Sequence, residues 1–248
     1  MHKTVLITGG SQGIGKATAI LAAQKGYAVV INFANNASAA QETVAQITET
    51  GGRAVAIQAD ISKEAEVLRM FEQMDEQFGP LDALVNNAGI IQPQIKVVDM
   101  HAERILQVLS TNVLGSFLCA REAIKRMSIA KGGKGGAIVN LSSIAARLGS
   151  PFEYVDYAAS KGAVDAFTIG LSKEVAAEGI RVNCVRPGLI YTDIHAKGGE
   201  PNRVARLESS VPMLRGGQAE EVAQAVLWLL SAEASYVTGA FVDVSGGK

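Results

Sequence analysis

Cysteine is nearly absent from this chain: Cys119 and Cys184 are the two in 248 residues. Two cysteines cannot build a disulfide framework. Both lie in apolar stretches, so buried free thiols and a reducing compartment are expected. Histidine is almost as scarce. His2, His101 and His195 are too scattered for a metal site, and no Cys/His spacing suggests one. Net charge is −1, which excludes the basic footprint of a nucleic-acid binder or of a protein held on an anionic membrane. Long apolar runs are missing too: AVLWLL, residues 225–230, falls far short of a membrane span. A strand-like run (KTVLIT) begins almost at once, so no signal peptide is expected. A cytoplasmic location is the expectation.

Present instead are 48% hydrophobic residues, enough for one large α/β domain over residues 1–248. Apolar runs at 4–8, 28–33, 54–59, 81–85, 137–141, 180–185 and 240–244 read as buried strands. Helical patterns fill the gaps, to about Lys25 and over 36–50, 64–78, 101–128, 155–178 and 219–231. Gly51-Gly52 and Gly79-Pro80 stop two of them. Seven strands alternating with helices, with no repeat or internal linker, predict a Rossmann-type doubly wound parallel sheet in a single domain.

Two stretches carry chemistry. The first is Gly9-Gly10-Ser11-Gln12-Gly13-Ile14-Gly15, between the first strand and the first helix. Glycines let the backbone approach an anion, and the free amides and dipole of a helix N-terminus hold it, so this turn reads as a phosphate cradle. Its spacing, G-x-x-x-G-x-G, departs from the usual G-x-G-x-x-G. The second runs from Asn140 to Lys161. Tyr157 and Lys161 lie four apart, on one face if Tyr157 opens a helix. An ammonium beside a phenol favours the phenolate, so a lowered Tyr157 pKa and general acid–base work are expected. A hydroxyl from Ser142-Ser143 at the strand end would hold the same substrate oxygen.

Together TGGSQGIG at 8–15, NNAG at 86–89, Ser143 and YAASK at 157–161 resemble the short-chain dehydrogenase/reductases, in order and over essentially the whole chain. The resemblance implies hydride transfer between a nicotinamide and a carbonyl or alcohol carbon of a small molecule. It implies a catalytic tetrad of Asn112, Ser143, Tyr157 and Lys161, with Asn112 distorting helix 101–128 and keeping a proton relay. Ser143 stands fourteen before Tyr157, one more than is usual in the family, which places a bulge in 151–156. Ser142 is the alternative; Tyr154 is excluded because residue 158 is Ala. The cofactor would meet Gly9, Ser11, Gln12, Gly13, Ile14 and Gly15. It would also meet Asp60 and Ile61 at the adenine, Asn87, Ala88 and Gly89 at the ribose, and Pro187, Gly188, Ile190 and Thr192 at the nicotinamide. Asp60 has a second reading as a helix cap or turn residue.

An NAD-specific enzyme places an acid at the end of the second strand. Here Asn32-Phe33-Ala34-Asn35-Asn36 stand, and the first acid is Glu42. NADP(H) is therefore favoured, with Asn32, Asn35 and Ser11 as donors; NAD(H) stays possible, since no Arg or Lys is there to grip a 2′-phosphate. Residues 193–217 read as a mobile lid, with His195 facing solvent. Lys125, Arg126, Lys131 and Lys134 read as a solvated loop or, alternatively, a patch for an acidic carrier protein. By resemblance helices 101–128 and 155–178 build a homotetramer. Sugar dehydrogenase and 3-oxoacyl-carrier-protein reductase are the alternatives among dehydrogenases, and an isomerase or dehydratase is also open. A cofactor-sensing regulator or scaffold is the non-enzyme alternative.

Overall fold

A computed structural model describes residues 2–248. Its seven strands are β1 (Thr4–Ile7), β2 (Ala28–Phe33), β3 (Arg53–Gln58), β4 (Ala83–Asn86), β5 (Gly136–Leu141), β6 (Ile180–Pro187) and β7 (Phe241–Val244). The helices between them begin with α1 (Gly13–Gln24), α2 (Ala37–Glu49) and α3 (Glu64–Phe78). There follow α4 (Ala102–Leu109), α5 (Gly115–Met127), α6 (Ala145–Leu148) and α7 (Val155–Glu174). Last come α8 (Ile194–Lys197), α9 (Arg203–Leu207) and α10 (Ala219–Leu230). All pairings are parallel, in the order β3-β2-β1-β4-β5-β6-β7.

Alternation along the strands divides the core between the two faces. Val5 and Ile7 join Ala19, Ala22, Val222 and Val226 on one side. Leu6 and Leu84 meet Met70, Phe71, Met74 and Met127 on the other. Each fully buried side chain of this size contributes about 1.5–3 kcal/mol, and a sheet covered on both faces accounts for the uninterrupted apolar runs. The strand order reverses between β1 and β4. Such a switch point opens a crevice at the carboxyl ends of the strands.

Three stretches add detail to the sequence-based expectation. The 101–128 pattern is not one helix: Ser110–Leu114 forms a π-turn between α4 and α5, with Asn112 buried inside it. Residues 193–217 carry α8 and α9, and Val204 and Val211 reach the interior. Two of the four residues of the basic cluster are paired: Arg126 with Asp75 at 2.7 Å and Lys125 with the buried Glu122 at 2.8 Å. Among the described residues no helix is long and apolar enough to cross a membrane.

Candidate active site

The first turn at the switch point is shaped by glycine. Gly9 (φ 62°) and Gly13 (φ 52°) take left-handed backbone, which a side chain resists. At Gly15 a Cβ would stand 2.3 Å from the Gly9 carbonyl oxygen and 2.5 Å from Asn87 Nδ2. Gln12 makes no side-chain capping bond to α1, and no acid occupies its first turn, so the leading amides and the dipole face the cleft unopposed. Asn87 Nδ2 donates to the carbonyls of Thr8 (2.9 Å) and Gly9 (3.1 Å), and Asn86 Nδ2 to Asn140 Oδ1 (2.9 Å). These amides tie β1, β4 and β5 together. At Gly89 a Cβ would lie 3.4 Å from both Lys161 Nζ and Asn112 Oδ1. Missing side chains thus let the turn pack tightly against Asn87 and let the Gly89 backbone approach Lys161 and Asn112; with the α1 amides facing the cleft, the residues present fit a dinucleotide.

Asn32 has other work than the sequence suggested. Its Nδ2 donates to the Ala59 carbonyl at 2.9 Å and approaches that of Phe33, while its Oδ1 accepts from the Gly9 amide at 3.3 Å. Both amide hydrogens are committed to backbone, so Asn32 braces the glycine turn against the end of β3 instead of offering a donor to a 2′-phosphate. Asp60 Oδ1 accepts from Ser62 N and Oγ at 3.0 and 2.7 Å. It lines the cleft but fastens the turn before α3. Asn35 is exposed at the cleft edge.

On the far side, β5 and α7 bring Ser143, Tyr157 and Lys161 together. The Ser143 hydroxyl lies close enough to the Tyr157 hydroxyl to favour its ionised form and accepts from the Ala145 amide at 3.1 Å. Ser142 Oγ donates to the Lys161 carbonyl at 3.1 Å, so it pins α7 to β5 and leaves the site to Ser143. Lys161 Nζ donates to the Leu141 carbonyl at 2.7 Å and sits 5.6 Å from the centre of the Tyr157 ring. Asn112 Oδ1 accepts from the Ile90 amide at 2.8 Å, and its Nδ2 donates to the Ile90 carbonyl and to Ser160 Oγ, each at 3.0 Å. Ser160 Oγ donates in turn to the Tyr157 carbonyl at 2.7 Å. The π-turn therefore fixes α7 through Asn112 and Ser160.

The bulge before Tyr157 lies at 149–152, where Gly149 (φ 75°), Ser150 (φ 44°) and Phe152 (φ 67°) are left-handed. What holds the strained loop was not apparent from the sequence. Buried Asp156 accepts from Arg104 Nε at 2.8 Å and from the Tyr157 amide at 2.9 Å. Glu153 pairs with Arg203 of α9, which also pairs with Glu200, and the Tyr154 hydroxyl donates to the Gly198 carbonyl at 3.3 Å. His195 does not face solvent. It is half-buried, with Nε2 3.1 Å from the Ile190 carbonyl, because α8 folds back over the turn after β6. The cleft between these walls has a volume of about 790 Å³.

Burial reverses the expected electrostatics. It pushes the Tyr157 phenol up to about 12, against the opposing pull of the Ser143 hydroxyl. The same burial lowers Lys161 to about 8. With Nζ bonded to a backbone carbonyl rather than to the phenol, the loss of hydration outweighs the ammonium's attraction. Tyr157 is thus protonated at neutral pH and poised to donate. Lys161 loses its charge as pH rises through about 8. The rate of a reaction that uses the charged Lys161 is accordingly expected to fall on that limb in an initial-rate pH profile. A rate that stays flat to about pH 10, the ordinary lysine range, would contradict this.

A phosphate cradle facing a Ser–Tyr–Lys set across a switch point defines a nucleotide-dependent oxidoreductase on a doubly wound sheet. Comparison with known proteins agrees. The family model described as enoyl-(acyl carrier protein) reductase matches residues 9–248. The chain is 65% identical over 243 residues to an uncharacterized oxidoreductase, YgfF, of Escherichia coli, covering 98% of each. It is 38% identical to glucose 1-dehydrogenase 2 of Bacillus subtilis (99% of this chain, 94% of the relative) and 38% to 3-oxoacyl-[acyl-carrier-protein] reductase of Synechocystis sp. (99% and 96%). A crystal structure of a short-chain type dehydrogenase/reductase from Mycobacterium marinum superposes with a TM-score of 0.92 at 35% identity, over 99% of this chain and 94% of that one. The chain belongs to the short-chain dehydrogenase/reductase family. Membership makes it an oxidoreductase acting on CH–OH and C=O groups and implies a nicotinamide cofactor.

Proposed function

We propose that the protein reduces a carbonyl group of a small molecule, with NADPH as the hydride donor. The observation that carries this reading is the protonated Tyr157 hydroxyl, beside Ser143 and backed by Lys161, in the wall of the cleft. Gly9, Ser11, Gln12, Gly13, Ile14 and Gly15 would hold the pyrophosphate, Asp60 and Ile61 the adenine, and Asn87, Ala88 and Gly89 the ribose. Pro187, Gly188, Ile190 and Thr192 would line the nicotinamide. When bound, that group supplies the hydride. Ser143 holds the substrate oxygen, and Tyr157 gives it a proton as negative charge develops there. The nearby Lys161 ammonium stabilises the resulting phenolate and would hold the ribose. Asn112 keeps the Ile90 loop and α7 in register for that transfer and for the relay that restores the proton.

The 2′-phosphate preference rests on Ala34, Asn35 and Asn36, where no carboxylate stands, and on Asn35 and Ser11 as donors. Fluorescence titration should give tighter binding of NADPH than of NADH. Asn35→Asp should weaken NADPH binding about tenfold or more, because a carboxylate there faces the phosphate, and affect NADH far less. Tighter NADH binding by the unaltered protein would overturn the preference. We further propose a cytoplasmic homotetramer and a lid over 193–217. Leu106, Leu114, Phe117 and Ile169 leave an exposed apolar face on α4, α5 and α7 and the intervening π-turn, and Phe117 stacks on Phe167 at 3.8 Å.

A further inference from the structure

The backbone of Tyr157 is gripped by side chains at both its amide and its carbonyl. Tyr157 stands in the first turn of α7, where a helix offers its amides no internal partner. Asp156 Oδ1 takes that amide at 2.9 Å. The Tyr157 carbonyl accepts from Ser160 Oγ at 2.7 Å, and Ser160 is held by Asn112. Tyr154, just before the helix, supplies no side-chain cap, and the chain arrives there through left-handed backbone at Ser150 and Phe152. Asp156 is itself fixed. Its carboxylate meets Arg104 at two points, Nε at 2.8 Å on Oδ2 and Nη2 at 3.4 Å on Oδ1. The Asp156 side chain is 2% exposed and that of Arg104 15%. Arg104 Nη1 also donates to the Pro93 carbonyl at 2.6 Å, in the loop whose Ile90 and Ile91 line the cleft. The Asn112 branch of this support belongs to the mechanism above; the Asp156 branch does not.

A solvent-facing acid in the first turn would do no more than complement the helix dipole. Burial beside a two-point guanidinium partner gives the carboxylate a fixed direction as well. Displacing a reacting group by about 1 Å can cost about 10²-fold in rate, so a proton donor this close to a helix end depends on what holds its backbone. We infer that Asp156, held by Arg104, is a positioning residue that sets the Tyr157 hydroxyl against Ser143 and Lys161 for proton transfer. This rests on the carbonyl-reductase reading and adds a residue to it. Asparagine is no substitute, because its amide puts an NH2 where one carboxylate oxygen now accepts.

The test measures Asp156→Asn and Arg104→Gln with NADPH and two ketones, ethyl 3-oxobutanoate and butan-2-one, under conditions where urea unfolding shows each variant folded. Asp156→Asn exchanges one atom and leaves Arg104 its bond to Pro93, so it carries the test if Arg104→Gln does not fold. The expected result is a kcat lower by about tenfold or more, with ketone KM and NADPH affinity changed less than about twofold. In a Tyr157→Phe background Asp156→Asn should cost nothing further, because the residue acts through the phenol. An unchanged kcat, a loss confined to KM or to the urea midpoint, or an undiminished further loss in the Tyr157→Phe background overturns the inference. If the unaltered protein reduces neither ketone, the reductase reading is what fails. Carbon NMR of protein labelled at the tyrosine Cζ then decides the positioning alone, with Tyr157→Phe identifying one of five resonances. That resonance should move in each folded variant, and one that stays in place overturns the inference.

Discussion

Tyr157→Phe is expected to lower turnover by about 10²–10⁴-fold, the range for removing a positioned general acid, while NADPH affinity changes by less than about twofold. The substitution removes one oxygen. The neighbouring Ser143 keeps its bond from the Ala145 amide. The ring stays half-buried, and Lys161 stays on the Leu141 carbonyl at 2.7 Å. The fold and the cradle are therefore untouched, and the loss falls on the proton. Steady-state rates and cofactor titration on the same preparation separate the two quantities. Near-normal turnover in this variant would remove Tyr157 from the mechanism.

Gly15→Ala has an equally large expected effect, at the opposite wall. Its Cβ would stand 2.3 Å from the Gly9 carbonyl oxygen, 2.5 Å from Asn87 Nδ2 and 3.0 Å from Gly10 Cα. Two of these are backbone atoms of the turn itself, so the turn must open. Overpacking of this kind costs about 1–3 kcal/mol of stability. Displaced amides lose bonds to a charged group worth about 1.5–3 kcal/mol each, so NADPH affinity should fall at least about tenfold. Gly170→Ala is the control. Nothing lies within 4 Å of a Cβ there, and alanine inside α7 should add about 0.5–1 kcal/mol. Urea unfolding and cofactor titration read both variants. Full NADPH affinity in Gly15→Ala would refute the cradle.

The sequence told much about whatever is local. The apolar runs located all seven strands because both faces of the sheet are covered. The i, i+4 spacing brought Tyr157 and Lys161 to one face, and the polar Ser110-Thr111-Asn112 marked the helix that breaks into a π-turn. What stayed hidden depends on partners far along the chain. Asn32 looked like a free donor, but the Ala59 carbonyl that takes its hydrogen is 27 residues on. Asp156 and Arg104, which anchor the start of the catalytic helix, are 52 apart. His195 lies in a stretch rich in glycine that reads as solvated, and only the fold-back onto Ile190 buries it. The Tyr157 pKa was misjudged for the same reason. Spacing reveals a neighbouring ammonium but not the depth of burial, and here burial is the larger effect.

Hydride transfer from NADPH to a carbonyl carbon is the claim on which everything else depends. It is tested most directly with NADPH deuterated at the transferable C4 position, supplied to the unaltered protein with small ketones, and the products weighed by mass spectrometry. The expected result is an alcohol carrying one deuterium on the carbinol carbon, formed in step with NADPH consumed. Product without deuterium, or conversion that leaves NADPH intact as an isomerase or dehydratase would, contradicts the account.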